Sequence, residues 1–129
     1  MITGAHVLFY SRKPEADRAF FRDVLKLPAV DAGGGWLVFQ LPPAEAAFHP
    51  VDAKARRRLP AAGHMLSAEL YLMCDDLELT LQELAEKNVH YSPPTEQEWG
   101  LKTTLRLPSG GEIGLYQPRH PTTIGHEST

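Results

Sequence analysis

A histidine and a glutamate occupy matching places in two similar stretches of this chain. His6 is the second residue of the segment 5–11 (AHVLFYS), and Glu69 is the second residue of the segment 68–74 (AELYLMC). Each segment has the alternation that is typical of a strand and then runs into a helical pattern. An imidazole and a carboxylate at equivalent positions can form a hydrogen-bonded pair or bind a cation. The place where the two stretches meet is therefore the candidate site.

Aromatic side chains accompany these polar positions and could line a ligand cavity. They are Tyr10, Tyr71, Trp99 and Tyr116. The three tyrosines lie on the strand faces of the polar positions, because side chains on a strand repeat every two residues. Trp99 lies in an irregular stretch before a strand, where a lid over a ligand could form. Each could equally be a core residue whose polar atom is satisfied at the edge, so both interpretations stay open.

The two stretches repeat a whole order of elements. Each unit has a strand, a helix and two strands, with one more short strand expected after the helix. Strands at 6–10 and 45–49 open and close the first unit, and strands at 66–73 and 112–116 open and close the second. The helices are predicted to begin near Pro14 and at Asp75 or Asp76, since proline and short acidic side chains suit a first turn.

Neither unit alone can bury a good core, so the two must pair and leave a cleft between like sheets. We expect one domain over 1–129, with repeats at 4–50 and 64–118, a linker at 51–63 and a frayed tail at 119–129.

Composition excludes several classes of function. The chain has 129 residues, a net charge of −3 and a pI near 6.0, so neither nucleic acid nor a membrane is an expected partner. No leader-like start and no apolar run of the ~20 residues that span a bilayer are present, and we expect a cytoplasmic protein. The single cysteine, Cys74, excludes an intramolecular disulfide and is expected to be an inert packing thiol. The glycines at 33–35 precede a strand, so they are not a phosphate-binding loop.

The order of these motifs resembles the vicinal oxygen chelate superfamily, which includes glyoxalase I, extradiol dioxygenases, and fosfomycin and bleomycin resistance proteins. The resemblance covers about residues 4–118. It rests on FFRDVL at 20–25, on DDL at 75–77 with its leucine helix, on Trp99-Gly100, and on LPSGGEIGLYQP at 107–118. It implies an α+β fold in which two βαβββ units pair into a cup-shaped mixed sheet around a cavity. It also implies a homodimer.

The resemblance further implies where a metal would bind, on the first and last strands of each unit. The corresponding residues here are His6, Ala47, Glu69 and Gly114. Alanine and glycine offer no ligating side chain. His49 and Glu112 lie two residues away on the same strand faces, about 7 Å along each strand. If His6, His49 and Glu69 converged, they would form a two-histidine, one-carboxylate site suited to Fe(II), Mn(II), Ni(II) or Zn(II).

Two functions of different classes follow. The first is a small-molecule-binding protein of the glyoxalase/bleomycin-resistance type, with an aromatic cavity, a His6–Glu69 polar floor and a degenerate metal site. The alternative is a metal-dependent lyase, isomerase or extradiol-dioxygenase-like enzyme acting on a substrate with vicinal oxygens. In that enzyme His49 or Glu112 would complete the ligand set. The two missing ligands favour the binding protein, with either no cofactor or a divalent metal.

Overall fold

The fold is mixed α+β in the residues that the computed structural model describes, 1–49 and 65–124. Its elements in chain order are α1 (Pro14–Asp23), β1 (Ala29–Asp31), β2 (Leu37–Phe39), β3 (Tyr71–Met73), α2 (Leu77–Ala85), β4 (Thr95–Gln97), β5 (Gly100–Arg106) and β6 (Glu112–Pro118). β1 and β2 form one sheet, and the other strands form a second sheet in the order β3-β6-β5-β4. The predicted α+β class is confirmed. No helix in the described ranges is long and apolar enough to cross a membrane.

The four-stranded sheet combines a parallel pair with antiparallel pairs. β3 runs parallel to β6, with Tyr71 opposite Gly114 and Met73 opposite Tyr116. β5 runs antiparallel to β6 and places Lys102 opposite Tyr116. Paired residues project to the same side of a sheet, so Tyr71, Lys102 and Tyr116 share one face.

The other face of this sheet carries the hydrophobic core. The buried cluster consists of Phe20, Phe21, Leu77, Leu81, Leu84, Val89, Leu105, Ile113 and Leu115. The leucines of α2 recur at helical spacing and cover the sheet, while the phenylalanines of α1 bring the first unit against the second. Burying a side chain of this size contributes ~1.5–3 kcal/mol. The helix-covered face therefore holds the fold together, and the opposite face of the sheet takes no part in this core.

The ends of the helices follow local rules, as predicted. Asp76 caps α2, since its carboxylate accepts a hydrogen bond from the backbone N–H of Leu79 at 3.0 Å. Asn88 follows α2 with a φ of 61°, the left-handed conformation that ends helices. Pro14 lies in the first turn of α1, where its missing N–H costs no intrahelical bond.

A small hairpin follows α1. β1 is the additional short strand that the repeat predicts, and the glycine turn leads from it to β2. Gly33, Gly34 and Gly35 have φ values of 132°, 60° and 87°, a conformation that favours glycine. The Asp31 carboxylate accepts a hydrogen bond from the backbone N–H of Gly33 at 2.7 Å. The turn is therefore fixed by its own sequence.

The first unit differs from the prediction at both of its ends. Residues 1–10 and 40–49 contain no strand, although strands at 6–10 and 45–49 were expected to open and close this unit. Leu8 is 68% exposed, Tyr10 96% and Phe48 87%. A strand needs a partner: β3 has β6, whereas the segment 5–10 pairs with no described strand. The predicted linker 51–63 lies outside the described residues.

Candidate functional site

Three aromatic rings from three segments meet on the sheet face opposite the core. Tyr71 lies on β3, Tyr116 on β6, and Trp99 just before β5. The ring centroids are 6.1 Å apart for Tyr71 and Trp99, 5.8 Å for Tyr71 and Tyr116, and 5.2 Å for Trp99 and Tyr116. The interplanar angles are 89°, 88° and 79°, the edge-to-face geometry that aromatic pairs prefer. We call these three residues the aromatic cluster.

Gly114 makes room for this cluster. It lies opposite Tyr71 in the parallel pair of strands. A Cβ atom built at Gly114 would overlap three atoms of the Tyr71 ring, so the ring lies directly on the β6 backbone. A strand glycine was expected to admit a close approach, and here the approaching group is a side chain of the protein itself.

Lys102 is a further member of the site that the sequence reasoning missed. Its Nζ atom lies 5.8 Å from the ring centre of Tyr71 and 5.9 Å from that of Trp99. These distances are within the range of cation–π attraction. Among the described residues, no carboxylate lies within 4.0 Å of this ammonium group. The site therefore combines aromatic rings with one positive charge.

The segment after β6 closes one side of the cluster. The hydroxyl of Tyr116 and Nε2 of His120 are hydrogen-bonded at 3.1 Å, and their rings stack with centroids 5.9 Å apart. The backbone N–H of Arg119 donates to the carbonyl oxygen of Trp99 at 2.8 Å. Residues 119–124 were predicted to be frayed, but these contacts attach the segment to the site. Residues 125–129 lie outside the described ranges.

A carboxylate of the first unit contacts the segment that follows β6. Glu45 accepts hydrogen bonds from the backbone N–H of Thr123 at 2.8 Å and from its hydroxyl at 3.1 Å. The backbone hydrogen bond from Thr123 is the main cause that lowers the pKa of Glu45. Burial raises the pKa of Tyr116, and the negative charge of Glu45 raises it further. Tyr116 is therefore a neutral phenol at pH 7.

The predicted polar residues are not gathered at this site. His6, His49, Glu69 and Glu112 are all exposed, and so is Tyr10. No hydrogen bond or ion pair joins His6 to Glu69, although both are within the described ranges. Across residues 1–49 and 65–124, no three His, Cys, Asp or Glu side chains are grouped closely enough to hold a metal ion.

The donor set within residues 1–49 and 65–124 does not fit a shared metal. At the implied position on β6, Gly114 has no ligating atom, and the Tyr71 ring fills the space above it. The carboxylate of Glu69 and the imidazole of His6 face solvent without a common partner in the described structure. The predicted ligand-binding residues are thus divided: Tyr71, Trp99 and Tyr116 come together, whereas Tyr10 and Glu112 do not join them.

Cys74 lies behind this cluster as a packing residue. Its thiol donates to the backbone carbonyl of Tyr116 at 3.6 Å. Burial raises the pKa of the Cys74 thiol, with further contributions from Asp75 and Asp76. A protonated thiol is a poor nucleophile, so nothing about this cysteine indicates covalent catalysis.

Two grooves lie away from the aromatic cluster. One has a volume of about 410 Å³ and is lined by Leu77, Leu81, Tyr91 and Leu101 among others. The other, of about 310 Å³, lies beside the end of α2 and includes Lys87 and His90. Each groove has a single aromatic side chain, Tyr91 in the first and Phe20 in the second, beside charged groups. Because neither has three aromatic rings grouped together, we place the candidate site at the aromatic cluster and keep the larger groove as the alternative site.

Solved structures of similar fold exist. TnmS3, an antibiotic binding protein from Streptomyces sp. CB03234, has a TM-score of 0.59 and 22% identity, over 92% of this chain and 98% of that one. Lactoylglutathione lyase from Agrobacterium tumefaciens has a TM-score of 0.60 and 15% identity, over 89% and 92%. A glyoxylase/bleomycin resistance protein/dioxygenase domain from Frankia sp. EAN1pec has 0.55 and 15%, over 92% and 100%.

These matches cover nearly the whole chain, and they confirm the glyoxalase-like fold that the order of motifs implies. No family model and no curated protein matches the sequence. A shared fold supports many activities. The function must therefore be argued from the site.

Proposed function

We propose that this chain is a small-molecule-binding protein that holds a flat organic ligand against Tyr71, Trp99 and Tyr116. The observation that carries the proposal is the contact of three nearly perpendicular rings on the sheet face that the core does not use. Aromatic side chains offer a large apolar contact area at little cost in conformational entropy. A ligand stacked there would cover the Tyr71 and Trp99 rings, which are partly exposed, whereas Tyr116 is already buried beneath them.

The choice between a binding protein and an enzyme rests on the aromatic cluster and on the residues that could bind a metal. The fold is shared with an antibiotic binding protein and with a lyase, so the fold alone does not decide. The described His, Asp and Glu side chains form no group that fits a metal, while the aromatic rings do form a contiguous surface. A binding protein with a degenerate metal site is therefore the better supported function.

Tryptophan fluorescence offers a direct test. The chain has two tryptophans, so Trp36→Phe leaves Trp99 as the only reporter in the protein. We expect bleomycin or members of a panel of flat polycyclic compounds to quench or shift the emission of Trp99 on titration. Tyr71→Ala in the same background should weaken binding about tenfold, since stacking on one aromatic side chain contributes ~1–3 kcal/mol.

Tyr91→Ala is the matched control, because Tyr91 lines the larger groove and lies outside the aromatic cluster. It should leave the affinity unchanged. A loss of binding in Tyr91→Ala without a loss in Tyr71→Ala would move the ligand to the groove. Stoichiometric binding of Mn(II), Fe(II), Ni(II) or Zn(II) that is abolished by His6→Ala would favour the enzyme instead.

We also propose that the chain forms a homodimer, through the apolar segment 5–10. This segment has the sequence pattern of a strand but no partner strand among the described residues, and its Leu8 and Tyr10 side chains are exposed. Its counterpart in the second unit, β3, is an edge strand of the four-stranded sheet. A segment with a strand pattern and no partner can add to the edge of the sheet in another copy.

Light scattering coupled to size exclusion should give twice the chain mass of 14.3 kDa. We expect Leu8→Asp to shift the protein to the monomer mass, because a charge would have to be buried in the interface. Leu79→Asp changes another exposed leucine, on α2, and should remain dimeric. A monomeric parent, or a dimer that both substitutions leave intact, would contradict this interface.

A further inference from the structure

We propose that the ligand of the aromatic cluster is an anion, a flat aromatic carboxylate or phenolate whose charge pairs with Lys102. This inference rests on the proposed binding function and names the class of compound that the site selects. It is carried by the position of the Lys102 ammonium group, which lies beside two of the three rings that would contact the ligand.

The backbone register fixes where this charge lies. Lys102 is on β5 and pairs with Tyr116 on β6, while Thr95 of β4 pairs with Lys102 from the other side. The lysine therefore projects from an interior strand of the sheet, on the face that carries Tyr71 and Tyr116. Its side chain is half-buried. An ammonium group in such a place is more strongly attracted to an anion than one in open water.

The charges around Lys102 leave this attraction available to a ligand. In the described part of the chain, the ion pairs are Arg22 with Asp23 and Arg119 with Glu96, and neither includes Lys102. Glu45, the carboxylate on the rim of the cluster, already accepts two hydrogen bonds from Thr123. A ligand anion would thus be placed at the Lys102 end of the cluster, away from Glu45.

The same geometry disfavours a cationic ligand. Perpendicular aromatic rings can bind quaternary ammonium groups, but here the protein's own ammonium group already lies within 6 Å of two ring centres. A second cation would meet the repulsion of Lys102. An anion instead gains a charge-assisted contact while its ring system stacks on the cluster.

Matched ligands test the proposal. Naphthalene-2-carboxylate, naphthalene-2-carboxamide and a naphthylmethyl-trimethylammonium salt share one ring system and differ in charge. In the Trp36→Phe background, we expect the carboxylate to bind about ten- to a hundredfold more tightly than the amide, because a hydrogen bond between charged groups strengthens binding by a factor of this size. The cation should bind most weakly. Added salt should reduce the preference for the carboxylate.

Substitutions of the lysine then assign the preference. In Lys102→Met, the carboxylate should bind only as tightly as the amide, and the affinity of the amide should not change. In Lys102→Arg, the carboxylate should still bind more tightly than the amide. Lys87→Met removes the same charge from an exposed lysine beside the smaller groove, and it should leave the affinities of all three ligands unchanged. Circular dichroism confirms that each variant is folded.

The outcomes separate this inference from the proposed function. Equal binding of carboxylate and amide, both lost in Tyr71→Ala, would overturn the role of Lys102 and leave the aromatic site standing. Tighter binding of the cation would overturn the anionic class in the same way. Absence of binding by these ligands and by the wider panel would overturn both proposals.

Discussion

Gly100→Ala is expected to lower the free energy of unfolding by about 3 kcal/mol or more, the upper range for a single substitution. Gly100 is buried at the start of β5, opposite Pro118 of β6, with a φ of 151°. A Cβ atom there would overlap the backbone carbonyl oxygen of Gln117 and lie 3.2 Å from the Cα atom of Pro118. These are backbone atoms of the paired strand, so no side-chain rotation relieves the overlap.

Urea denaturation measures this effect, with Gly111→Ala as the matched control. Gly111 lies in the turn between β5 and β6, where a Cβ atom would be 3.4 Å from the Ser109 hydroxyl, a flexible group. The control should change the free energy of unfolding by about 0.5 kcal/mol at most, as surface substitutions usually do. Equal stability of the two variants would show that the β5–β6 pairing does not need glycine at position 100.

The substitution also bears on the binding site, because Gly100 follows Trp99. The carbonyl oxygen of Trp99 accepts a hydrogen bond from the backbone of Arg119, next to the stacked Tyr116 and His120. A shift of β5 away from β6 would move Trp99 relative to Tyr116. We therefore expect the emission of Trp99 in the Trp36→Phe background to change in Gly100→Ala even under conditions where the protein is still folded.

Features fixed by neighbouring residues could be predicted from the sequence. Asp76 caps α2 because an acidic side chain at that place bonds to a backbone N–H three residues later. Asn88 ends the helix because asparagine tolerates positive φ. The glycine turn at 33–35 is likewise determined locally, since the Asp31 carboxylate accepts a hydrogen bond from the backbone N–H of Gly33. Residues close in the sequence thus set these elements, and a distant contact adds to the start of α2, where the side chain of Gln117 accepts a hydrogen bond from the backbone N–H of Leu77 at 3.0 Å.

Strands depend on partners that periodicity does not reveal. The segment 5–10 has a strand pattern and forms no strand in the described structure, whereas Thr95–Gln97 has a polar sequence and forms β4. β4 exists because it pairs with the first residues of β5. Alternation predicts which face a side chain would take, and the pairing decides whether the strand exists.

The site was predictable to the extent that strand faces could be assigned. Tyr71 and Tyr116 come together because alternation along β3 and β6 places both on one face of the sheet, and Trp99 joins them from the short turn between β4 and β5. Lys102 gave no signal, since a lysine alternating with apolar residues is typical of any solvent-facing strand. Only the register that sets it opposite Tyr116 makes it part of the site.

Gly114→Ala is expected to dismantle the aromatic cluster while leaving the core in place. The new methyl group would occupy the space of the Tyr71 ring, and the ring would have to rotate away from Trp99 and Tyr116. Overpacking of this kind costs ~1–3 kcal/mol. We expect a reduced near-ultraviolet circular dichroism signal, because the rings lose their fixed packing, and an unchanged far-ultraviolet signal. Ligand affinity should fall at least as much as in Tyr71→Ala.

A double-mutant cycle distinguishes a clash with the Tyr71 ring from a general destabilisation of β6. Once Tyr71→Ala has removed the ring, adding Gly114→Ala should cost little, so the two substitutions should be non-additive by ~1–2 kcal/mol. Strict additivity would mean that the ring does not lie on the Gly114 backbone in solution. The cycle also bears on the place where the resemblance implies a metal ligand: if the two positions are coupled, that place is occupied by the Tyr71 ring. Introducing a carboxylate with Gly114→Glu would then require removing Tyr71 as well, because both side chains need the same volume.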